Sequence, residues 1–272
     1  MKTLRDCVAV ITGAGSGIGR ALAQVLASHN VQLALADNNR ARLEHTRKLL
    51  GSAVSQGYVV DVAESAEMEN FAGNVARDFG RASLLINNAG VSLHGTFAEV
   101  SLADMEWLFK INFWGVVYGC KFFLPMIRKE SEAHIVNLSS IFGLIGHPGQ
   151  AAYCASKFAV SGFTEVLRHE LRATTVGVTC VYPAGVKTSI SRNARPGAGT
   201  QFGAVAADAK RFEKLAPTMP EAAARAIVKG VLAGKPRILI GSDALQVDLM
   251  QRLMPARAAS LFAASLERRL LK

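Results

Sequence analysis

Apolar residues in this chain fall in short runs that alternate with stretches of helical period. Residues 7–12 (CVAVIT) form a β-rich run ending in a glycine cluster, and 17–28 then read as an amphipathic helix. The same order recurs. Strands are predicted at 31–37, 57–60 and 84–88, separated by helices near 40–50 and 63–79. A long helix over about 103–129 follows, then a strand at 134–139, a helix between 150 and 171, and a strand at 177–182. Beyond Pro183 the pattern loosens. Residues 189–216 hold Gly, Pro and many polar groups and are read as a substrate-side flap; 220–233 read as a helix, 237–240 (RILI) as a last strand, and 243–272 as a helical tail. Apolar strands alternating with helices imply a seven-stranded parallel sheet covered on both faces, an α/β doubly wound fold, with 1–272 forming one domain.

Composition narrows the class. Half of the 272 residues are hydrophobic and 19% are charged, which argues against disorder. No apolar run reaches the ~18 residues of a membrane span. The net charge of +10 is uneven: residues 188–272 carry 14 Lys or Arg against 6 Asp or Glu, a net +8. A basic last third suits an anionic substrate, membrane headgroups or a merely solvated surface. Nucleic acid is not expected, because there is no zinc pattern, no RNA-binding aromatic signature and no long basic run. Cys7, Cys120, Cys154 and Cys180 are scattered without a C-x-x-C pair, so neither a metal site nor a disulfide framework is expected, and a reducing cytoplasm fits.

Two stretches carry candidate chemistry. Residues 12–19 (TGAGSGIG) place Gly13, Gly17 and Gly19 between a predicted strand and helix. Glycines let the backbone approach a pyrophosphate, and the helix amino terminus offers unpaired N–H groups. The spacing is G-x-x-x-G-x-G, not G-x-G-x-x-G. Asp37 ends the second strand, where a carboxylate accepts from ribose hydroxyls and repels a 2′-phosphate, favouring NAD over NADP; Arg40 and Arg42 lie close enough to serve such a phosphate. In the second stretch, 137–157, Tyr153 and Lys157 stand one helical turn apart. A phenol is a poor base at neutral pH unless a cation stabilises the phenolate, and Lys157 is placed to be that cation. A preceding Ser adds a hydroxyl for a substrate oxygen. This is carbonyl and alcohol chemistry.

Together with 87–90 (NNAG) and Asn112, these motifs resemble the short-chain dehydrogenase/reductase family over roughly residues 5–190. The resemblance implies a catalytic set of Asn112, Ser140, Tyr153 and Lys157, with Ser140 preferred to Ser139 by its spacing from the Tyr. It implies cofactor contacts from Gly13, Ser16, Gly17, Ile18, Gly19 and Asp37, from Asp61 and Val62 at the adenine, and from Asn88, Ala89 and Gly90. Tyr153 and Lys157 contribute again, and 183–188 (PAGVKT) resembles the loop whose Pro183, Val186 and Thr188 engage the carboxamide side. Ala184 replaces that loop's first Gly. Neither Ser16 nor Asn38 is basic, which again suits NAD. The activity implied is reversible hydride transfer between NAD(H) and a secondary alcohol or ketone.

The substrate side is expected from Leu93 and His94, from 141–146 and from the flap. Ile141, Phe142, Leu144 and Ile145 suggest a lipophilic small molecule such as a steroid, retinoid or fatty derivative. Arg192, Arg195, Lys210 and Arg211 keep a 3-oxoacyl thioester open as an alternative. A further alternative is a catalytically idle NAD-binding regulator. Peripheral membrane contact through 245–272 competes with packing of that tail on its own domain or a partner. The family resemblance also implies a homodimer or homotetramer through the Asn112 and Tyr153 helices.

Overall fold

Seven strands form one parallel sheet: β1 (Val8–Thr12), β2 (Gln32–Asp37), β3 (Ser55–Val59), β4 (Leu84–Asn87), β5 (Ala133–Leu138), β6 (Val176–Pro183) and β7 (Arg237–Ile240). Their order is β3-β2-β1-β4-β5-β6-β7. Every residue of β1 and of β5 is buried, as strands covered on both faces must be. Alternate side chains serve opposite layers. Ala9 and Ile11 pack with Leu22 and Leu26 of α1 (Gly17–Ala27) and Ile227 of α7 (Pro220–Leu232), while Val10 packs on the other face. There it meets Met68 and Phe71 of α3 (Ser65–Phe79), Phe123 of α5 (Gly115–Ile127) and Val160 of α6 (Ala151–Glu170). Truncating any of these large side chains to Ala costs about 2–5 kcal/mol.

The computed structural model describes residues 1–197, 199–200 and 216–270, with side chains described as far as 265. Residues 198 and 201–215 of the predicted flap, Lys210 and Arg211 among them, therefore lie outside the described residues. The remaining helices are α2 (Arg40–Leu49), α4 (Leu102–Phe109), α8 (Ser242–Leu253) and α9 (Pro255–Leu270). Local chemistry sets their ends. Asn39 accepts from the Arg42 N–H and Ser101 from the Asp104 N–H, and Gly80 closes α3 at φ 71°.

Three features depart from the sequence reading. The long helix predicted over 103–129 runs 102–127 and contains a π-turn, Lys110–Trp114, between α4 and α5. The tail is two helices parted at Met254, with Pro255 opening the second. Leu93–His94 pairs in parallel with Arg195–Pro196, clipping the start of the flap to the chain after β4. Two-residue strands carry no periodicity, so the sequence could not announce them.

Because β1 neighbours both β2 and β4, the order in which strands are added reverses between β1 and β4, opening a crevice at their carboxyl ends. Thr12, Asp37, Asn87, Leu138 and Pro183 are the strand-end residues on that edge.

Candidate active site

The turn after β1 is built for close approach. Gly13 (φ +65°) and Gly17 (φ +51°) are left-handed. A Cβ on Gly13 would stand 2.8 Å from the Ala89 Cα, and one on Gly19 would run into the Gly13 carbonyl. The turn is held from several sides. Asp37 accepts from the Gly15 N–H (2.9 Å) and the Asn39 N–H (2.9 Å). Arg20 donates to the Gly15 carbonyl and to Thr46 Oγ1, which in turn donates to the Ala14 carbonyl (3.0 Å). Asn88 Nδ2 donates to the carbonyls of Thr12 (2.9 Å) and Gly13 (3.2 Å), and Thr12 Oγ1 accepts from the N–H groups of Asn88 and Ala89. Arg20, Thr46 and Thr12 escaped the sequence reading, since their work is done on backbone that folding brings together.

Along the same edge, Asp61 Oδ1 accepts from the Ala63 N–H (3.0 Å) and the Asp61 N–H donates to Glu67 Oε2 (2.8 Å). This fixes the loop that presents Asp61 and Val62. On the opposite wall, the Thr188 Cγ2 lies 3.1 Å from where a Cβ on Gly17 would sit, and Val186 bridges to Thr218.

The hydroxyl, phenol and amine predicted to act together do meet. Ser140 caps the short 3-10 turn Ile141–Gly143, accepting from the Phe142 N–H (3.2 Å), and its hydroxyl lies near enough to the Tyr153 phenol to favour its ionised form. Ser139 instead spends its hydroxyl on the Lys157 carbonyl (2.8 Å). Lys157 Nζ donates to the Leu138 carbonyl (3.0 Å) and lies 5.7 Å from the Tyr153 ring centre. Asn112 sits in the π-turn, wholly buried, and both its amide hydrogens are committed, to the Val91 carbonyl (3.0 Å) and Ser156 Oγ (3.2 Å). Its Oδ1 accepts from the Val91 N–H (2.8 Å). The Asn112 side chain thus ties the chain after Gly90 to α6.

Burial governs the titration of the pair. The Tyr153 phenol is pushed up to about 12 by burial, which outweighs the lowering effect of the nearby Ser140 hydroxyl. Lys157 is pushed down to about 8, again by burial. Burial outweighs the expected depression of the phenol by Lys157, whose Nζ is held on the Leu138 carbonyl 5.7 Å from the ring centre. At neutral pH the site holds a protonated phenol beside a largely charged amine. The buried thiols move upward, Cys7 to about 11 and Cys120 to about 12, and Cys154 rises as well, which leaves them as packing groups.

These groups line one cleft of about 1090 Å³. Gly13, Ser16, Gly17, Ile18, Asp37, Asp61, Val62, Asn88, Ala89, Gly90, Pro183, Val186 and Thr188 face it, with Ser140, Tyr153 and Lys157. Gly19 and Asn112 lie behind its wall. Arg42 lines it near Asp37, whereas Arg40 does not. The substrate half differs from expectation in part. His94, Ile141 and Phe142 line it, but Leu93 is buried with Leu108 and Tyr153, and Ile145 with Val247 and Ala258. Leu144 packs in that second group as well. Ile190 of the expected flap lines it, as do His147 and Gln150, which were not foreseen. Arg195 faces away, paired with Asp104 (3.2 Å) and stacked over Trp107 (4.5 Å).

A doubly wound sheet with a glycine-turn cleft and a Ser, Tyr and Lys at its floor defines a nucleotide-binding oxidoreductase class. The chain belongs to the short chain dehydrogenase family, whose profile matches residues 7–199. It is 43% identical over 269 residues to SadH of Mycobacterium tuberculosis (strain ATCC 25618 / H37Rv), named as an oxidoreductase, covering 97% of this chain and 96% of that one. It is 31% identical to estradiol 17-beta-dehydrogenase 11 of Mus musculus, covering 94% and 82%. A short chain dehydrogenase/reductase from Burkholderia phymatum, solved in complex with NAD, superposes with a TM-score of 0.86 at 33% identity, covering 93% of this chain and 95% of that chain. The protein is an oxidoreductase on a fold that binds nicotinamide cofactors.

Proposed function

We propose that this enzyme interconverts a secondary alcohol and a ketone on a lipophilic small molecule, using NAD(H), with Tyr153 as acid and base. The observation that carries the reading is the convergence of the Ser140 hydroxyl and the Tyr153 phenol in one cleft, with Lys157 beside them. The cradle fits a dinucleotide: the left-handed turn at Gly13 and Gly17 brings backbone and the amino terminus of α1 to the cleft wall, with Ser16, Gly17 and Ile18 facing the cleft. Gly13, Ser16, Gly17 and Ile18 would hold the pyrophosphate, Asp37 the ribose, Asp61 and Val62 the adenine, and Asn88 to Gly90 with Pro183, Val186 and Thr188 the nicotinamide half. Bound NAD supplies the hydride acceptor and NADH the donor.

In reduction Ser140 orients the carbonyl oxygen by hydrogen bonding and Tyr153 gives it the phenolic proton. Lys157 then stabilises the phenolate left behind. In oxidation the same phenolate removes the hydroxyl proton. The high phenol pKa suits the proton-donor role at neutral pH. Asp37, the absence of a basic residue at Ser16 and Asn38, and the NAD complex of the Burkholderia phymatum relative support NAD over NADP. Ile141, Phe142 and Ile190 in the substrate half support a lipophilic substrate, as does similarity to a protein named for estradiol. Exposed Trp114, Phe158 and Val166 on the outer faces of the Asn112 and Tyr153 helices support assembly as a homodimer or homotetramer.

The test is fluorescence titration with NADH and NADPH, followed by turnover of a panel of secondary alcohols. NADH should bind more tightly. Tyr153→Phe should lose at least ~100-fold in turnover with NADH binding unchanged. Full activity in that variant would remove Tyr153 from the mechanism.

A further inference from the structure

The peptide groups of the glycine turn are fixed one after another from behind the cleft. The Ala14 N–H donates to the Ala36 carbonyl (2.9 Å). The next peptide is held at both ends: the Ala14 carbonyl accepts from Thr46 Oγ1 (3.0 Å), and the Gly15 N–H donates to Asp37 Oδ2 (2.9 Å). The peptide after that, between Gly15 and Ser16, is held through its carbonyl, which accepts from the Arg20 guanidinium. Arg20 stands in the first turn of α1, and α2 fixes its place. Its Nε donates to the Oγ1 of Thr46, a wholly buried residue (3.0 Å).

A trans peptide is planar, with its C=O and N–H pointing opposite ways. Ser16 lines the cleft, whereas Arg20 and Thr46 stand outside its lining. Tying the Gly15 carbonyl to Arg20 therefore aims the Ser16 N–H at the cleft. There it joins the amino terminus of α1, whose first N–H groups no side chain caps. The tie matters because glycine has no Cβ to resist rotation of the peptide that follows it. Turned the other way, that peptide would show an anion the partial negative charge of a carbonyl oxygen. A side chain at residue 15 could not supply the restraint instead: its Cβ would stand 2.7 Å from Asp37 Oδ2 and 2.9 Å from the Arg42 Cβ.

We infer that Arg20, seated by Thr46, is a positioning residue for the cofactor's pyrophosphate, holding the Gly15–Ser16 peptide with its N–H toward the anion. This role presupposes that the cleft is a dinucleotide site, and it falls to two side chains outside the cleft lining. Arginine suits it because one rigid fork reaches Gly15 and Thr46 together. A lysine keeps the charge but has a single compact head that cannot span both.

The experiment is fluorescence titration of the full-length protein with NADH and NADPH, scored on whichever the parent binds more tightly. The variants are Arg20→Met, Arg20→Lys, Thr46→Val and Thr46→Ser, each with its melting temperature measured without cofactor. Arg20→Met should raise Kd by about tenfold or more, and Arg20→Lys should regain only part of the loss. Thr46→Val keeps the shape without the hydroxyl and should raise Kd by about fivefold, while Thr46→Ser keeps the hydroxyl and should bind within about twofold of the parent. Rescue by the hydroxyl is a result that a loss of packing alone would not give. Values for Arg20→Met and Thr46→Val both within about twofold of the parent would overturn the inference. So would equal weakening in Thr46→Val and Thr46→Ser, because the hydroxyl would then be irrelevant. If the Arg20 variants fail to fold, the Thr46 pair decides. A parent that binds neither nucleotide would remove the dinucleotide reading and the inference with it, whereas a parent that binds, beside unaffected variants, would remove the inference alone.

Discussion

Replacing Lys157 by Met should make the folded protein more stable while removing its activity. The amine is buried and its pKa falls from 10.5 to about 8, which at 1.36 kcal/mol per unit is about 3 kcal/mol against folding at neutral pH. Methionine has a similar reach and no charge to desolvate. The lost bond to the Leu138 carbonyl returns about 1 kcal/mol of that gain, leaving about 2 kcal/mol. For a chain of this size that is roughly 4–8 °C in melting temperature. The pH dependence gives the sharper test. Below pH 8 the amine is charged in both folded and unfolded chains and the full penalty stands. Between about 8 and 10.5 the folded protein sheds a proton that the unfolded chain keeps, so the parent gains stability as pH rises. Above 10.5 no penalty remains. Melting of parent and variant at pH 7, 9 and 10.5 should thus show a gap in the variant's favour that closes across this window. A variant less stable at pH 7, or a gap indifferent to pH, would refute burial as the origin of the shifted amine.

Three further expectations come from the same coordinates. Asp37→Asn removes the charge that faces a 2′-phosphate while Arg42 stays in the cleft, so the NADPH-to-NADH affinity ratio should rise by about tenfold or more, read by fluorescence titration; an unchanged ratio would acquit Asp37. Gly19→Ala drives a methyl into the Gly13 carbonyl, and should cost about 3 kcal/mol in urea unfolding and abolish NADH binding; normal binding would show that the turn yields. His134 is buried, with its pKa pushed down to about 3, chiefly by burial, so it contributes stability present above pH 6.5 and lost as pH falls toward 3. The parent should lose roughly 3 kcal/mol from this group between pH 6.5 and 4, and His134→Gln should lack that slope in urea unfolding at the two pH values.

The sheet was legible because its central strands are buried on both faces and so announce themselves as short runs rich in apolar residues, β1 most plainly. The cleft's main residues were legible for another reason: a glycine turn and a one-turn Tyr–Lys spacing are local patterns that survive in one dimension. What could not be read depends on distant chain meeting. Arg20 and Thr46 hold the turn through carbonyls, and nothing in their own neighbourhood marks them. Leu93 and Ile145 were expected in the substrate half and instead fill core, since an apolar residue near a site looks the same whichever way it points. His147 lines the cleft because the chain after Ser140 makes a 3-10 turn, a form too short to leave a period.

The π-turn at Lys110–Trp114 gives its helix one place where the length can change by a residue without loss of phase. A wide turn of this kind holds one residue more than an α-turn, so deleting one residue from it would restore an unbroken α-helix with α5 still facing nearly the same way. The same deletion in the ordinary turns that follow would rotate the rest of the helix by about 100°. Made at the start of α5, it would carry Cys120, Phe123 and Ile127 out of the core and swing Tyr118 and Phe122 in from the surface. A change of length that a surface loop absorbs would there rewrite the interior and the outer face at once, so α5 should behave as a fixed reading frame that tolerates a single-residue change only at its wide first turn.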